Sequence, residues 1–313
     1  EGFRWVYEQL GDVWLFSTSG GTDVCTAFVG GVPTLPVVEG ELQARALGAK
    51  VEAFDEAGRS VVGQVGELVL LTGRTVASAV RPPYPYGEEF IGQFLFALQL
   101  CWFPLLVSTV AINFGAPGLE AANILGILGA LDRLGSFFIL AAIREIGPFV
   151  TGVCVAGIAG TAITADLGAR KIREELDALQ VLGVDPIKNL VVPRFLALML
   201  ITGLLDVFAI TTGLSGGILT ELVYHQSLGG FFSTLLEQAT ITDLWGSVVK
   251  CTLFGAIIAI VCCYKGMTAS GGAAGVGRAV NEAVVISFLA FFFFNYVFTQ
   301  TLLATNPELQ TIR

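Results

Sequence analysis

Long apolar stretches constrain the fold of this chain more than any other feature. A helix that crosses a membrane needs about 20 mostly apolar residues, because it must satisfy its own backbone hydrogen bonds in lipid. Almost everything from Phe90 to Leu303 is apolar, and hydrophobic residues make up 54% of the chain against 14% charged residues. The sequence therefore predicts an all-α polytopic membrane protein preceded by a segment of ordinary soluble composition. Five or six stretches are candidate spans: about 90–113, 119–142, 146–168, 190–222, 244–264 and 280–303.

The first two candidate spans are irregular. Pro104 interrupts the first, a link containing Gly-Pro-Gly follows it, and Asp132 and Arg133 interrupt the second. One or both of these stretches could therefore be re-entrant or interfacial rather than spanning.

Lysine and arginine indicate the orientation, because cytoplasmic loops carry an excess of both. The link from 265 to 278 holds Lys265 and Arg278, whereas the link from 223 to 243 holds neither residue type. The link from 169 to 194 is the richest and holds Arg170, Lys171, Arg173, Lys188 and Arg194. We expect the links 169–194 and 265–278 to be cytoplasmic, with the C-terminus facing outward.

The segment IREELDALQVLGVDP, residues 172–186, is a polar helix between apolar spans. Its apolar residues follow helical spacing and form one stripe: Ile172, Leu176, Leu179 and Leu182. Arg170 with Glu174 and Lys171 with Glu175 have the i, i+4 spacing of helical ion pairs. Gly183 is expected at a left-handed C-cap, with Asp185 and Pro186 as N-cap and first residue of the next helix. The pattern leaves two interpretations open: the stripe lies on the bilayer or its own bundle, or the helix docks another protein.

Small residues recur every fourth position in the span from 146 to 168. They form one ridge along a helix: Gly152, Ala156, Gly160, Thr164 and Gly168. Such a ridge lets helix backbones approach closely. The contact could lie within one subunit, move during a transport cycle, or join two subunits. Gly160→Leu is expected to disrupt assembly, whereas Val155→Leu, off the ridge, is not.

Charged residues inside apolar spans are costly and often functional. Asp206, Lys250 and Glu282 are the intramembrane candidates, and they serve either ion-coupled secondary transport or helix-end or interhelical pairing. Six cysteines without metal-ligand spacing and a single histidine, His225, predict no metal site. A net charge of -9 and the lack of a basic aromatic patch argue against nucleic acid as a partner.

The sequence contains no nucleotide-binding motif of its own. It has no Gly-x-x-x-x-Gly-Lys-Ser/Thr loop, so ATP hydrolysis would come from a separate subunit. The glycine-rich stretch SGGAAGVGRAV, residues 270–280, lacks the strand and lysine of a phosphate-binding loop. It is interpreted as a flexible loop before a last span that starts near Asn281 and Glu282.

Residues 144–194, REIGPFVTGVCVAGIAGTAITADLGARKIREELDALQVLGVDPIKNLVVPR, resemble the signature region of the MlaE/YrbE permeases. The resemblance continues through GMTASGGAAGVGRAVNEAVV, residues 266–285, and is greatest to the A-type YrbE subunits of actinobacterial Mce systems. These are plasma-membrane subunits of ABC systems that move lipids with MCE-domain proteins. The resemblance implies an interfacial helix near 70–95, about five membrane helices, a dimer of permease subunits, and an ATPase that binds ATP and Mg.

The resemblance also implies that the segment from Glu174 to Gly183 contacts the ATPase on the cytoplasmic side. We assign its acidic residues to polar contacts, Leu176 and Leu179 to anchoring, and the turn after them to fixing the helix angle. The coupling set is Glu174, Glu175, Leu176, Asp177, Leu179, Gly183, Asp185 and Pro186. The many Phe, Leu and Ile residues of the spans suit an apolar acyl or sterol body, so the expected substrate is a lipid: phospholipid, fatty or mycolic acid, or sterol.

The N-terminal segment resembles a different family. Residues 19–70, from SGGTDVCTAF to VVGQVGELVL, resemble a piece of acetoacetyl-CoA synthetase, an acyl-adenylate-forming enzyme. Gly21, Thr22 and Asp23 match that superfamily's nucleotide and metal element. The phosphate loop, hinge and C-terminal lysine domain are missing, so we expect an inactive α/β remnant over residues 1–72, followed by the permease domain over 73–313. The third alternative, a membrane-anchored acyl-CoA ligase, conflicts with these missing parts.

Overall fold

The computed structural model describes residues 19–21, 26–30, 44–45, 64–82, 84 and 86–306. The chain divides into two compact units, Glu1–Glu67 and Leu68–Arg313. In the first unit the described residues form a small antiparallel sheet of order β1-β2-β3, with strands β1 Ser19–Gly21, β2 Thr26–Gly30 and β3 Ala44–Arg45. Ser19 and Arg45 both lie opposite Val29. Gly21 ends β1, whereas Thr22 and Asp23 of the degenerate nucleotide element lie outside the described residues.

The described residues of the second unit form only helices and the turns between them, although its first helix begins in the first unit. Its α-helices are α1 Gln64–Val80, α2 Gly87–Asn113, α3 Ala121–Ile127, α4 Leu134–Phe138, α5 Gly147–Val155, α6 Thr161–Ile172, α7 Glu175–Val181, α8 Val192–Val223, α9 Leu228–Gln238, α10 Ile241–Met267 and α11 Gly272–Thr305. Four π-helical segments, Phe114–Glu120, Ile139–Ile146, Ala156–Gly160 and Ile187–Val191, and a single 3₁₀ turn, Leu131–Arg133, join several of them.

Five continuous helices in the described residues are long and apolar enough to cross a membrane. These five spans, numbered in chain order, are Gly87–Ile127, Leu131–Ile172, Ile187–Val223, Ile241–Met267 and Gly272–Thr305. The predicted all-α polytopic fold is therefore confirmed, with five spans rather than six. The helix that precedes the first span is α1, which ends at Val80 rather than near 95 because prolines follow at 82, 83 and 85.

Two predicted breaks between helices are not found where the sequence placed them. The link around Pro117 is a π-helical segment that continues the first span, since a π-bulge accommodates the ring without ending the helix. The chain turns instead at Gly129, whose φ of 65° suits glycine, so the stretch 119–142 is divided between two spans. The glycine-rich stretch is not a flexible loop, because the fifth span already begins at Gly272.

The third and fourth spans form the centre of the bundle. Helix α8 packs against α2 and α10, and α10 also packs against α6 and α11. Leu198, Phe254 and Ile258 are fully or almost fully buried in the main core. The first and fifth spans are mostly exposed, whereas the middle three are mostly buried. The second and third spans meet near α7, and we call this end of the bundle the α7 end.

Candidate functional site

The connector between the second and third spans contains a sharp turn followed by the short helix α7. Helix α6 ends at Ile172, and Glu174 then adopts a left-handed conformation with φ 61° and ψ 15°. This turn breaks the single predicted helix, so the predicted i, i+4 ion pairs of Glu174 and Glu175 are wrong. The pairs that form instead are Arg170 with Asp166, Lys171 with Asp177, and Arg173 with Glu175, at 3.1, 3.0 and 2.7 Å.

Helix α7 is anchored by only half of the predicted apolar stripe. Leu176 is 4% exposed in the main core, and Leu179 packs against the same core. Ile172 and Leu182 are exposed, because the turn at Glu174 and the end of α7 carry them away from it. The acidic residues Glu174 and Asp177 are exposed as predicted.

The predicted capping residues hold both ends of the turn after α7. Gly183 has a φ of 77°, its N–H donates to the Gln180 carbonyl, and the Val184 N–H donates to the Leu179 carbonyl. These two bonds form a Schellman motif. The Asp185 side chain accepts the Ile187 N–H at 2.9 Å. Pro186, which directly follows Asp185, begins the next helix. The direction of α7 relative to the third span is thus fixed by local hydrogen bonds.

The small-residue ridge packs within this chain. A Cβ atom on Gly160 would lie 2.9 Å from Cys262 Sγ on α10, and one on Gly152 would lie 3.2 Å from Phe254. Gly168 faces Val276 of α11 in the same way, and the Thr164 hydroxyl donates to the Cys262 carbonyl at 3.2 Å. Ala156 is fully buried. Of the three interpretations of the ridge, the structure supports contact within one subunit.

Val155 does not have the neutral position predicted for it. The side chain is fully buried in the main core. Val155→Leu would therefore overpack this core, and it is not a neutral comparison for Gly160→Leu.

All three predicted intramembrane charges form interhelical contacts. Lys250 Nζ donates to the Arg144 carbonyl at 2.7 Å and to Thr299 at 2.9 Å, and lies 3.5 Å from Glu145. Glu282 accepts from Lys265 at 2.9 Å. Asp206 is fully buried, and one carboxylate oxygen accepts from Ser247 at 2.7 Å. Its second oxygen has no hydrogen-bond partner among the described residues.

The sequence reasoning missed several charges that the structure places in the same networks. Arg144 pairs with Asp243 at 2.5 Å, and Glu145 accepts from Asn295 at 2.8 Å. At the α7 end, Arg194 is 1% exposed and is paired with Asp166 and Glu89, so it is not a loop cation as predicted. The sequence signal that could have identified these residues is a charged residue within an apolar run.

A comparison with known proteins identifies the family. The family model for permease MlaE matches residues 100–301, which include the second to fourth spans and the α7 connector. The chain belongs to the MlaE permease family. A probable ABC transporter permease of Rickettsia typhi is 31% identical over 240 residues, 76% of this chain and 92% of the relative.

Two further relatives cover shorter parts of the chain. A probable ABC transporter permease of Synechocystis is 37% identical over 54% of this chain and 64% of its own length. The chloroplast protein trigalactosyldiacylglycerol 1 of Arabidopsis thaliana is 36% identical over 54% of this chain and 49% of its own length. The permease is thus a multi-pass membrane subunit of an ABC transporter rather than an enzyme, and it works with a partner ATPase. The finer resemblances, to YrbE subunits of Mce systems and to acetoacetyl-CoA synthetase, stay predictions.

Proposed function

We propose that the permease moves lipids across or out of a bacterial plasma membrane, driven by a separate ATPase that docks on α7. The Arabidopsis relative bears the name of a lipid, trigalactosyldiacylglycerol. The spans also expose large apolar side chains, among them Phe292 and Phe293 of α11, which are 52% and 73% exposed. Surfaces of this kind suit an acyl or sterol body better than an ion or a sugar.

The geometry of α7 is the observation that carries the coupling role. A motor shifts a conformational equilibrium only through contacts that differ between the two states, so its force needs a stiff attachment. Helix α7 is anchored in the core by Leu176 and held to the third span by the turn at Gly183 and Asp185. Its acidic side chains remain exposed for a partner. In the proposed complex Glu174, Glu175 and Asp177 contact the ATPase, which binds ATP and Mg.

The proposed assembly contains further subunits. The α7 connector faces the cytoplasm, as the lysine and arginine of this link favour. A second permease subunit, identical or paralogous, and MCE-domain lipid-binding proteins complete the transporter, as the resemblance to YrbE permeases implies. The N-terminal segment, including Gly21, Thr22 and Asp23, has no catalytic part in this proposal.

Charge reversal on α7 tests the docking role. Glu175→Lys with Asp177→Lys should weaken capture of the cognate ABC ATPase by about 2 kcal/mol if these carboxylates are desolvated in the complex. This loss corresponds to a roughly thirtyfold higher Kd. Glu237→Lys, an exposed acidic residue of α9, is the matched control and should leave ATPase capture unchanged. Undiminished capture and lipid transport by the double variant would show that the acidic face is merely solvated.

Reconstitution tests the energy source and the substrate. Vesicles that contain the permease should move lipid when ATPase and ATP are supplied, and an ion gradient alone should have no effect. Transport driven by the gradient would favour the secondary-transporter alternative. Mass spectrometry of the intact complex would identify the lipid that copurifies with it.

A further inference from the structure

A cleft of about 370 Å³ opens at the α7 end, between the first three spans. Four charged side chains line it: Glu89, Asp166, Arg170 and Arg194. Its remaining lining includes the amide of Gln93 and the apolar side chains of Phe96 and Ile163. The cleft thus has a polar part and an apolar part, which is the division expected of a site for an amphiphile.

Arg194 holds the polar part together. Its side chain is 1% exposed and donates to Asp166 Oδ2 at 2.8 Å and to the Leu190 carbonyl at 2.8 Å. It also lies 3.2 Å from Glu89 Oε1. The buried guanidinium therefore fixes one carboxylate from the first span and one from the second, and its Nε has no hydrogen-bond partner among the described residues.

The more exposed side chains retain unused hydrogen-bonding capacity. Arg170 donates only its Nε, to both oxygens of Asp166 at 3.1 and 3.3 Å, among the contacts that the described part of the chain makes. Its two terminal nitrogens can still donate to a ligand. Glu89 uses Oε1 for Gln93 and Arg194, which leaves Oε2 as an acceptor. Both side chains are about a third exposed or more, so a ligand can reach them.

We propose that this cleft binds the headgroup of a zwitterionic phospholipid, with the phosphate on Arg170 and the ammonium on Glu89. Two carboxylates and two guanidiniums give the lining no net charge, so a simple anion or cation would meet like charge beside its partner. A headgroup that carries both signs finds a partner for each, and arginine matches the geometry of phosphate oxygens.

The surroundings favour a lipid over a water-soluble ligand of the same chemistry. Phe96 is 39% exposed on the first span, where it can contact the start of an acyl chain. A cleft of this size holds a headgroup and its glycerol but not two whole chains, which would lie along the outside of the span. The inference deepens the proposed function and rests on it for one step: the cleft would be where lipid from the α7 side enters the transporter.

Binding can be tested on the full chain without the ATPase. The purified permease is equilibrated in mixed micelles with equal mole fractions of phosphatidylethanolamine, phosphatidylglycerol and diacylglycerol, and native mass spectrometry counts the lipid retained. Phosphatidylethanolamine should be retained preferentially. Arg170→Gln and Glu89→Gln should each weaken its retention roughly tenfold, the value of one lost charge-assisted bond. Arg173→Gln, an exposed arginine that pairs with Glu175 outside the cleft, should leave retention unchanged.

A size variant keeps the test independent of the ion pairs. Ala162 lines the cleft, so Ala162→Leu should narrow it and weaken lipid retention without any change of charge. Equal retention of all three lipids, or full retention by Ala162→Leu, would overturn the proposal. Free phosphoethanolamine that binds as tightly as the lipid would overturn the lipid as its source. The α7 charge reversal should leave lipid retention unchanged, so failure of the ATPase docking role would be separately visible.

Discussion

Lys250 Nζ lies 3.5 Å from Glu145 Oε1, across the interface between the second and fourth spans. The same ammonium donates to the Arg144 carbonyl and to Thr299 of the fifth span. One lysine therefore ties three spans together, and its side chain is only 2% exposed. In an apolar bundle such a charge is stable only with partners on every side.

The Lys250 pair predicts a coupled stability effect. Lys250→Met should lower the free energy of unfolding by about 1–2 kcal/mol, because the Arg144 carbonyl and Thr299 lose a donor and the half-exposed Glu145 loses its cation. Adding Glu145→Gln should recover part of this loss, since no unpaired carboxylate then remains. Thermal unfolding in detergent of both single variants and the double variant measures the coupling. Lys188→Met, with no ion pair among the described residues, is the control, and strictly additive losses would contradict the prediction.

The small-residue ridge predicts a difference between two neighbouring glycines. Gly160→Leu should lower the yield of folded protein and cost about 1–3 kcal/mol, because Cys262 and Ile258 occupy the space beside Gly160. Gly157→Leu is the matched control, since no atom lies within 4 Å of a Cβ placed there. Size-exclusion chromatography and thermal unfolding of the purified permease compare the two variants. Equal behaviour would show that the ridge is not tightly packed.

The fold could be predicted from the sequence because lipid leaves few alternatives. An apolar run of this length must form its own backbone hydrogen bonds, so the helical, membrane-spanning character of the chain follows from composition. The boundaries of the spans could not be predicted from composition. Pro117 lies inside a π-helical segment, and Gly272 starts a helix, because neighbouring helices stabilise conformations that local propensity disfavours.

In the candidate site, too, local features could be predicted and contacts between spans could not. Gly183 and Asp185 were predicted correctly because caps depend on residues two to four positions away. The partners of Arg194 and Lys250 were not predicted, because Asp166 and Glu145 lie on other spans. Only the packing of the bundle brings each acid close to its partner. The ion pairs of Glu174 and Glu175 failed for a local reason, the left-handed turn, which sequence spacing does not reveal.

The turn after α7 predicts a conformational effect at Gly183. Gly183→Val should destabilise the connector by about 1 kcal/mol or more, because a β-branched residue rarely adopts a positive φ. Gly183→Asn should be tolerated, since asparagine visits this region more easily. No atom lies within 4 Å of a Cβ on Gly183, so the difference would not be steric. ATP-driven lipid transport and thermal unfolding should both rank glycine and asparagine above valine, and an equal ranking would show that the cap is dispensable.

The left-handed Glu174 predicts a variant that separates backbone from side chain. Glycine adopts a φ of 61° without the cost imposed by a Cβ atom, so Glu174→Gly should leave the free energy of unfolding unchanged or raise it by up to about 1 kcal/mol. Glu174→Ile should lower it by about 1 kcal/mol or more, because β-branched residues are strained there. If the exposed carboxylate contacts the ATPase as proposed, Glu174→Gly should weaken ATPase capture even though the permease unfolds at the same or a higher temperature. Full capture by the glycine variant would limit Glu174 to forming the turn, and leave Glu175 and Asp177 as the acidic residues that face the motor.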